Sequence, residues 1–304
     1  MLLLTGATGL VGSNLLSLLL AEGRQVRCLV RDPRRLGTQR VRVQIALGDL
    51  TDPPSFRNAL RGVDTVVHLA AAIRDQSQGS IEELDGIATW RMVEAAERQG
   101  VERFVFFSAL GASTHHRTRL GRAKALAEQA VTEADLQSIV FAPSIVYAPG
   151  DPWLTLLERM ALLPAMPMSG RGRARFQPIW AQDAAACVAS ALRTPDGEER
   201  RRYELAGPET LSHVEMIRTV LAVQGRTRPV VPVPTPVVSR TLRLLERALG
   251  QRAFATWDEA ELMEVSMVSE RGSTDAEWLG VTPQRMSAVL EAGRHQQRPL
   301  SLAR

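Results

Sequence analysis

Lysine is nearly absent from this sequence: of its 37 lysine and arginine residues, only Lys124 is a lysine. The arginines are scattered, so the formal net charge of +4 reads as a compositional habit and not as a nucleic-acid footprint. Cysteine is almost as rare. Cys28 and Cys187 lie in apolar stretches and are too few for a disulfide framework, so both are expected as buried, reduced thiols. No apolar run approaches the ~20 residues of a membrane span. The opening MLLLTGATGLVG has neither a basic leader region nor a small-residue cleavage site. A cytoplasmic protein is the expectation. Tyrosine occurs only at Tyr147 and Tyr203, which leaves few phenols for acid–base chemistry.

What remains is an ordinary globular composition, 45% hydrophobic and 23% charged over 304 residues. Short apolar runs at 1–5, 25–30, 41–47, 63–70, 101–108 and 136–143 alternate with helical patterns at Leu10–Glu22, Pro53–Leu60, Ile81–Gln99 and Arg119–Glu133. Strands that are apolar on both faces and alternate with helices predict a parallel sheet covered on both sides. With right-handed crossovers this is a doubly wound α/β fold of Rossmann type. Beyond about residue 150 prolines cluster and shorter helices are expected at Trp153–Leu163, Ala181–Arg193, Ser212–Val223, Pro236–Leu249 and Pro283–Ala292. The predicted organisation is a nucleotide-binding domain from 1–150 plus 179–205, with FQPIW and RRYELAG returning to the main sheet. A smaller substrate or partner lobe takes 151–178 plus 206–304. The last ten residues are expected to be disordered.

TGATGLVG places Gly6, Gly9 and Gly12 between the first strand and the first helix. Gly6 permits the turn, Gly9 lets the backbone approach a pyrophosphate, and Gly12 allows close helix–sheet contact. Thr5, Thr8, Leu10 and Val11 complete the cradle. The second strand ends in LVRDPRR, where Arg31, with Arg34 and Arg35 behind it, offers charge to a 2′-phosphate. Asp32 offers the alternative, a ribose ligand, but the arginines favour NADP(H) over NAD(H). Asp49 and Leu50 of GDL are candidates for the adenine edge and face. Leu69, Ala70 and Ala71 of HLAAA are small enough to admit a ribose, and His68 is read as a packed strand-end histidine.

These motifs, followed in order by FFSALGA, APSIVYAPGD, QPIWAQDAAACVASAL and YELAGPETLSHVEMI, resemble the extended and atypical short-chain dehydrogenase/reductase superfamily. The nearest look is to the atypical branch of the nucleotide-binding accessory subunit of respiratory complex I and its bacterial relatives. The resemblance implies a cofactor-facing role for Pro143 and Ile145. It also implies a catalytic set in which Ser108 matches the serine and Lys124 the lysine, an ammonium bonded to the nicotinamide ribose. A chain that otherwise uses arginine keeps lysine there because a fork-shaped guanidinium does not fill that role. The tyrosine four positions before the lysine is absent: Leu120 stands there. Tyr147 is either a substitute proton donor or a packing residue, and His115 and His116 are expected as exposed loop histidines.

Two functions follow. The first is an NADPH-dependent oxidoreductase acting on a quinone or apolar carbonyl in a pocket lined by Leu120, Trp153, Met160 and Met166. The second is an NADPH-binding module without turnover, such as a redox sensor, assembly factor or accessory subunit. Its amphipathic PVVSRTLRLLERALG segment would face the core, a protein partner or a membrane surface.

Overall fold

A computed structural model describes residues 1–194, 201–250 and 255–297. The first half of the chain forms β1 (Leu2–Thr5), α1 (Leu10–Ala21), β2 (Val26–Val30), β3 (Gln44–Leu47), α2 (Pro53–Phe56), β4 (Thr65–His68), α3 (Ala88–Arg98), β5 (Arg103–Phe107), α4 (Arg119–Glu133) and β6 (Gln137–Pro143). Then come β7 (Val146–Tyr147), α5 (Pro152–Met160), β8 (Met166–Ser169), β9 (Arg175–Phe176), β10 (Ile179–Trp180), α6 (Ala181–Ala191) and β11 (Arg202–Leu205). The chain ends with β12 (Leu211–Ser212), α7 (His213–Val223), β13 (Val230–Val233), α8 (Thr235–Leu249), α9 (Trp257–Leu262), α10 (Thr274–Trp278) and α11 (Met286–Gln297). A π-helical stretch, Glu82–Ile87, leads into α3.

The main sheet has seven strands in the order β11-β6-β5-β4-β1-β2-β3, and every pair in it is parallel. This is the doubly wound fold that the strand–helix alternation implied. Successive strand residues point to opposite faces, so Leu2 and Leu4 join the core under α1 and α6 while Leu3 joins the core under α2 and α3. Each such side chain contributes roughly 1.5–3 kcal/mol by leaving water. Strand order reverses between β1 and β4, which opens a crevice at the carboxyl ends of those strands.

A third core, holding Tyr147, Leu154, Met166, Phe176, Met216 and Leu290, lies beyond the sheet. FQPIW departs from expectation. Ile179 and Trp180 pair with β7 in a separate two-stranded ladder, and only RRYELAG reaches the main sheet, as β11 beside β6. Pro178 supplies no N–H to extend a ladder, and the backbone of Gly207 packs directly on its carbonyl. Helices α9 and α10 were not anticipated, although Thr256 and Glu259 form a reciprocal capping box at the start of α9.

Helix α11 continues through Gln297, into the expected disordered tail, and residues 298–304 of that tail lie outside the described residues. Cys28 and Cys187 are free and buried, and burial pushes both thiols up to about 12, which makes them unreactive. Among the described residues no helix is long and apolar enough to cross a membrane.

Candidate functional site

At Gly6 the backbone turns with φ 72°, and a Cβ there would lie 2.6 Å from the Ala70 nitrogen. Glycine therefore lets the loop after β1 touch the segment after β4. A Cβ on Gly12 would lie 2.1 Å from the Gly6 carbonyl oxygen. The close approach expected at Gly12 is thus to the loop itself and not to the sheet. Gly9 is exposed, donates its N–H to the Gly6 carbonyl at 2.9 Å, and begins α1 without a side-chain cap. Helices α4, α5, α7 and α9 are each capped by a side chain, from Thr118, Asp151, Ser212 and Thr256. The first-turn donors of α1 are left to meet solvent or an anion. Leu10 is exposed and Thr8 half-buried, whereas the Val11 side chain lies in the core and leaves only its backbone available.

Beyond β2, Arg31, Arg34 and Arg35 are exposed, and Arg31 donates to the Gln76 amide oxygen at 3.1 Å. The Asp32 carboxylate accepts the Arg34 backbone N–H at 2.9 Å and caps the turn that follows. The Asp49 carboxylate accepts both the backbone N–H and the hydroxyl of Thr51. Leu50 packs half-buried against the core under α2.

Under the crevice runs a continuous polar chain. Ala70 N–H reaches Thr5 Oγ1 at 3.4 Å, Thr5 Oγ1 lies 2.9 Å from His68 Nδ1, and His68 Nε2 lies 3.1 Å from Thr89 Oγ1. The Thr89 hydroxyl donates to the Asp85 carbonyl at 2.5 Å. With that proton fixed, Thr89 accepts from His68, so His68 carries its proton on Nε2 and accepts from Thr5. The chain is satisfied by a neutral imidazole. Burial, and then the charge of Lys124, hold the His68 pKa down to about 3. The expectation of a packed histidine stands.

Lys124 is 4% exposed. Its ammonium lies 2.9 Å from Asp85 Oδ1, donates to the Phe107 carbonyl at 3.0 Å, and sits over the Phe106 ring. The other Asp85 oxygen accepts the Ala72 N–H at 2.9 Å, and Asp85 itself has no exposed surface. Sequence reasoning missed Asp85. A lysine read as buried demands an acid partner, and the acids of Glu82–Asp85, on the neighbouring helix, were the signal.

Ser108 and Lys124 come from adjacent elements, but their polar atoms point to different partners. The Ser108 hydroxyl donates to Glu128 at 2.7 Å, and Glu128 also takes Arg202 at 2.8 Å. Glu128 was missed too, although it lies one helical turn beyond Lys124. Tyr147 is fully buried in the third core with no hydrogen-bond partner for its hydroxyl among the described residues, and burial raises its pKa. It packs, and it is not placed to donate a proton. Pro143 is buried and Ile145 half-buried at the end of β6. Leu120 is half-buried, as are Trp153 and Met160, but Met166 is fully buried and does not line an open pocket. His115 is exposed as expected, whereas His116 lies over Gly121 and contacts the Thr118 cap at 2.9 Å.

At the rim, Arg119 pairs with Asp75, Glu82 and Asp258, Arg117 with Glu261 and Glu264, and Arg74 with Glu259. Helix α9 is thereby tied to the loop after β4 and to the start of α4. A separate concavity of about 280 Å³, lined by Leu154, Glu158, Val220, Leu290 and Arg294, lies among α5, α7 and α11, away from the glycine loop.

A family model described as NAD(P)H-binding matches residues 6–149. Sterol demethylase protein B of Methylococcus capsulatus is 30% identical over 83% of this chain and 83% of its own length. NAD(P)H azoreductase of Xenophilus azovorans is 29% identical over 82% and 80%. The mitochondrial NADH dehydrogenase [ubiquinone] 1 alpha subcomplex subunit 9 of Arabidopsis thaliana is 28% identical over 76% of this chain, which spans 60% of that relative. Among solved structures, a nucleoside-diphosphate-sugar epimerase from Staphylococcus aureus superposes with a TM-score of 0.77 over 95% of this chain and 99% of its own, at 19% identity. That likeness concerns the fold.

Proposed function

Because the chain belongs to the NAD(P)H-binding family, in its atypical short-chain dehydrogenase/reductase form, we propose that it is an NADPH-dependent reductase of conjugated, uncharged acceptors such as quinones. The observation that carries this reading is the combination of an intact dinucleotide cradle with a leucine, Leu120, where the resemblance calls for a proton-donating tyrosine. The cradle fits the cofactor: the uncapped start of α1, the exposed Gly9 and the close pass of Gly6 over Ala70 leave backbone donors and space for a pyrophosphate. Thr5, Gly6, Thr8, Gly9, Leu10, Val11 and Gly12 would hold the phosphates, Asp49 and Leu50 the adenine, and Leu69, Ala70 and Ala71 the adjoining ribose. The bound dinucleotide supplies a hydride.

Leu120 has no proton to give, Lys124 is engaged by Asp85, and Ser108 is engaged by Glu128. An alkoxide product needs a nearby acid, and these residues provide none. A quinol is a phenol, with a pKa of about 10, so water suffices to protonate it. The azoreductase among the relatives acts, by its name, on another conjugated acceptor. The paired rim arginines further favour an uncharged substrate, since each guanidinium already faces a carboxylate.

The preference for NADPH rests on Arg31. Asp32 caps its own turn, and the exposed Arg31 guanidinium, whose Nη1 donates to Gln76, has further N–H donors to offer a ribose substituent. A charge-assisted bond to a 2′-phosphate is worth roughly 1.5–3 kcal/mol, or about tenfold or more in affinity. Titration of both cofactors should show that margin in the wild type and its loss in Arg31→Ala. Equal wild-type affinities would move the ribose role to Asp32.

The acceptor is tested by following NADPH oxidation with a panel of quinones, azo dyes and simple aldehydes and ketones. Turnover of the first two without the others is expected. Silence across the panel, with NADPH bound, would favour the second reading, a nucleotide-binding module without turnover. The closed Lys124–Asp85 pair is the observation on that side.

A further inference from the structure

From the placement of α8 we infer that the second lobe docks on an anionic lipid bilayer surface through one face of that helix. Residues 226–250 hold five arginines and one glutamate, a formal charge of +4. Helix α8 turns Ser239 and Leu242 toward the protein, while Val237 is 53% and Leu244 64% exposed. Arg240 and Arg247 are exposed as well. The spacing 237, 240, 244, 247 runs in steps of three and four, so these side chains form a single stripe.

The described residues supply this stripe with no counter-charge. Glu246, the acid on α8, accepts the Trp257 N–H and helps begin α9, and Arg243 lies over the Trp257 ring at 4.8 Å. Arg240 and Arg247 have no ion pair among the described residues. An occupant must then present negative charge and apolar depth in one plane. Nucleic acid offers the charge but nothing apolar to Leu244. A second copy of the chain offers the apolar contact but brings the same positive charge. The bilayer interface offers both: headgroup phosphates for the arginines and acyl chains beneath them for Val237 and Leu244.

Sedimentation of the full chain with phosphatidylcholine vesicles, with and without phosphatidylglycerol, tests this. Binding that requires the anionic lipid and weakens with salt is expected. Neutralising two arginines with Arg240→Gln and Arg247→Gln should weaken it about 25-fold, roughly fivefold per charge, and Leu244→Glu should remove it. All three side chains are exposed, and NADPH affinity, read on the same preparations, should stay unchanged. Absence of vesicle binding at low ionic strength, binding indifferent to lipid charge, or binding that survives both variants would overturn the proposal. A dimer in size-exclusion chromatography that Leu244→Glu splits would also overturn it, and would assign the stripe to self-association.

Discussion

The two ends of the crevice treat their polar atoms in opposite ways. At the α1 end the first-turn N–H groups lack a side-chain cap, Gly9 is exposed, and glycines keep Cβ atoms out of the gap. At the α4 end Lys124 and Ser108 each have an internal partner, Asp85 or Glu128. A site built to bind an anion leaves its donors unanswered until the ligand comes. A site in which each charge is already answered has little to offer a reacting oxygen. The contrast separates cofactor binding from proton transfer within one cleft, and each end can be broken without the other.

The largest effect is expected at the open end. Gly9→Val should abolish NADPH binding, because the branched side chain would fill the exposed space before α1. Its Cβ would meet the Gly6 carbonyl oxygen at 3.3 Å, a contact relieved by a small shift, so thermal stability should change little. Binding near the wild-type level would reduce the loop to a turn.

At the closed end, stability and not affinity is the quantity at risk. Asp85→Ala leaves the Lys124 ammonium buried without its partner, at a cost of about 3–5 kcal/mol. Adding Lys124→Met, which removes the orphaned charge, should restore most of that loss. Denaturant midpoints of the two variants measure it. If Asp85→Ala is harmless to the fold, the pair is not closed in solution and Lys124 is available to the cofactor.

The polar chain beneath the crevice adds a pH dependence. His68 is neutral in the fold with a pKa near 3, against an ordinary value of 6.5. Below pH 6.5 the unfolded chain binds a proton at this histidine that the native state refuses, so stability falls as pH drops toward 3. The loss is on the order of 4 kcal/mol across that window. His213, lowered to about 4 by burial, acts in the same direction. Replacing His68 with Gln should flatten part of the decline of melting temperature with acidity. An unchanged slope would mean that His68 titrates normally.

The open end was legible in the sequence because it is built from backbone. Glycines in a strand–loop–helix context report their conformations directly, and Gly6, Gly9 and Gly12 sit where the spacing put them. The sheet was legible for a similar reason: strands apolar on both faces have few places to go. The closed end was not, because it depends on pairs far apart in the chain. Asp85 meets Lys124 across 39 residues, and Glu128 bridges Ser108 and Arg202. Tyr147 could be read as a substitute donor or as a packing residue, because its position in the chain says nothing about the direction of its hydroxyl. The separate ladder of Ile179 and Trp180 was hidden because FQPIW has strand composition, while the Pro178 that diverts it acts through a missing donor.

The smallest effect is expected at Leu120, and it decides between the ends. Leu120→Tyr restores the phenol that the resemblance calls for, one turn before Lys124. A working acid of this kind typically contributes ~10²–10⁴-fold. It does so beside an ammonium that can lower the phenol pKa and hand protons on. Here that ammonium lies against Asp85, which offsets its charge, and it donates to the Phe107 carbonyl. The Leu120→Tyr variant should therefore raise carbonyl reduction less than tenfold and leave quinone reduction within about twofold, since that reaction draws its proton from water. Steady-state rates on both substrate classes measure this, with the double variant Leu120→Tyr, Lys124→Met as the control for the ammonium. A hundredfold gain in ketone reduction that vanishes with Lys124→Met would show that the Asp85 contact opens during turnover, and that the closed end is a reductase site lacking only its phenol.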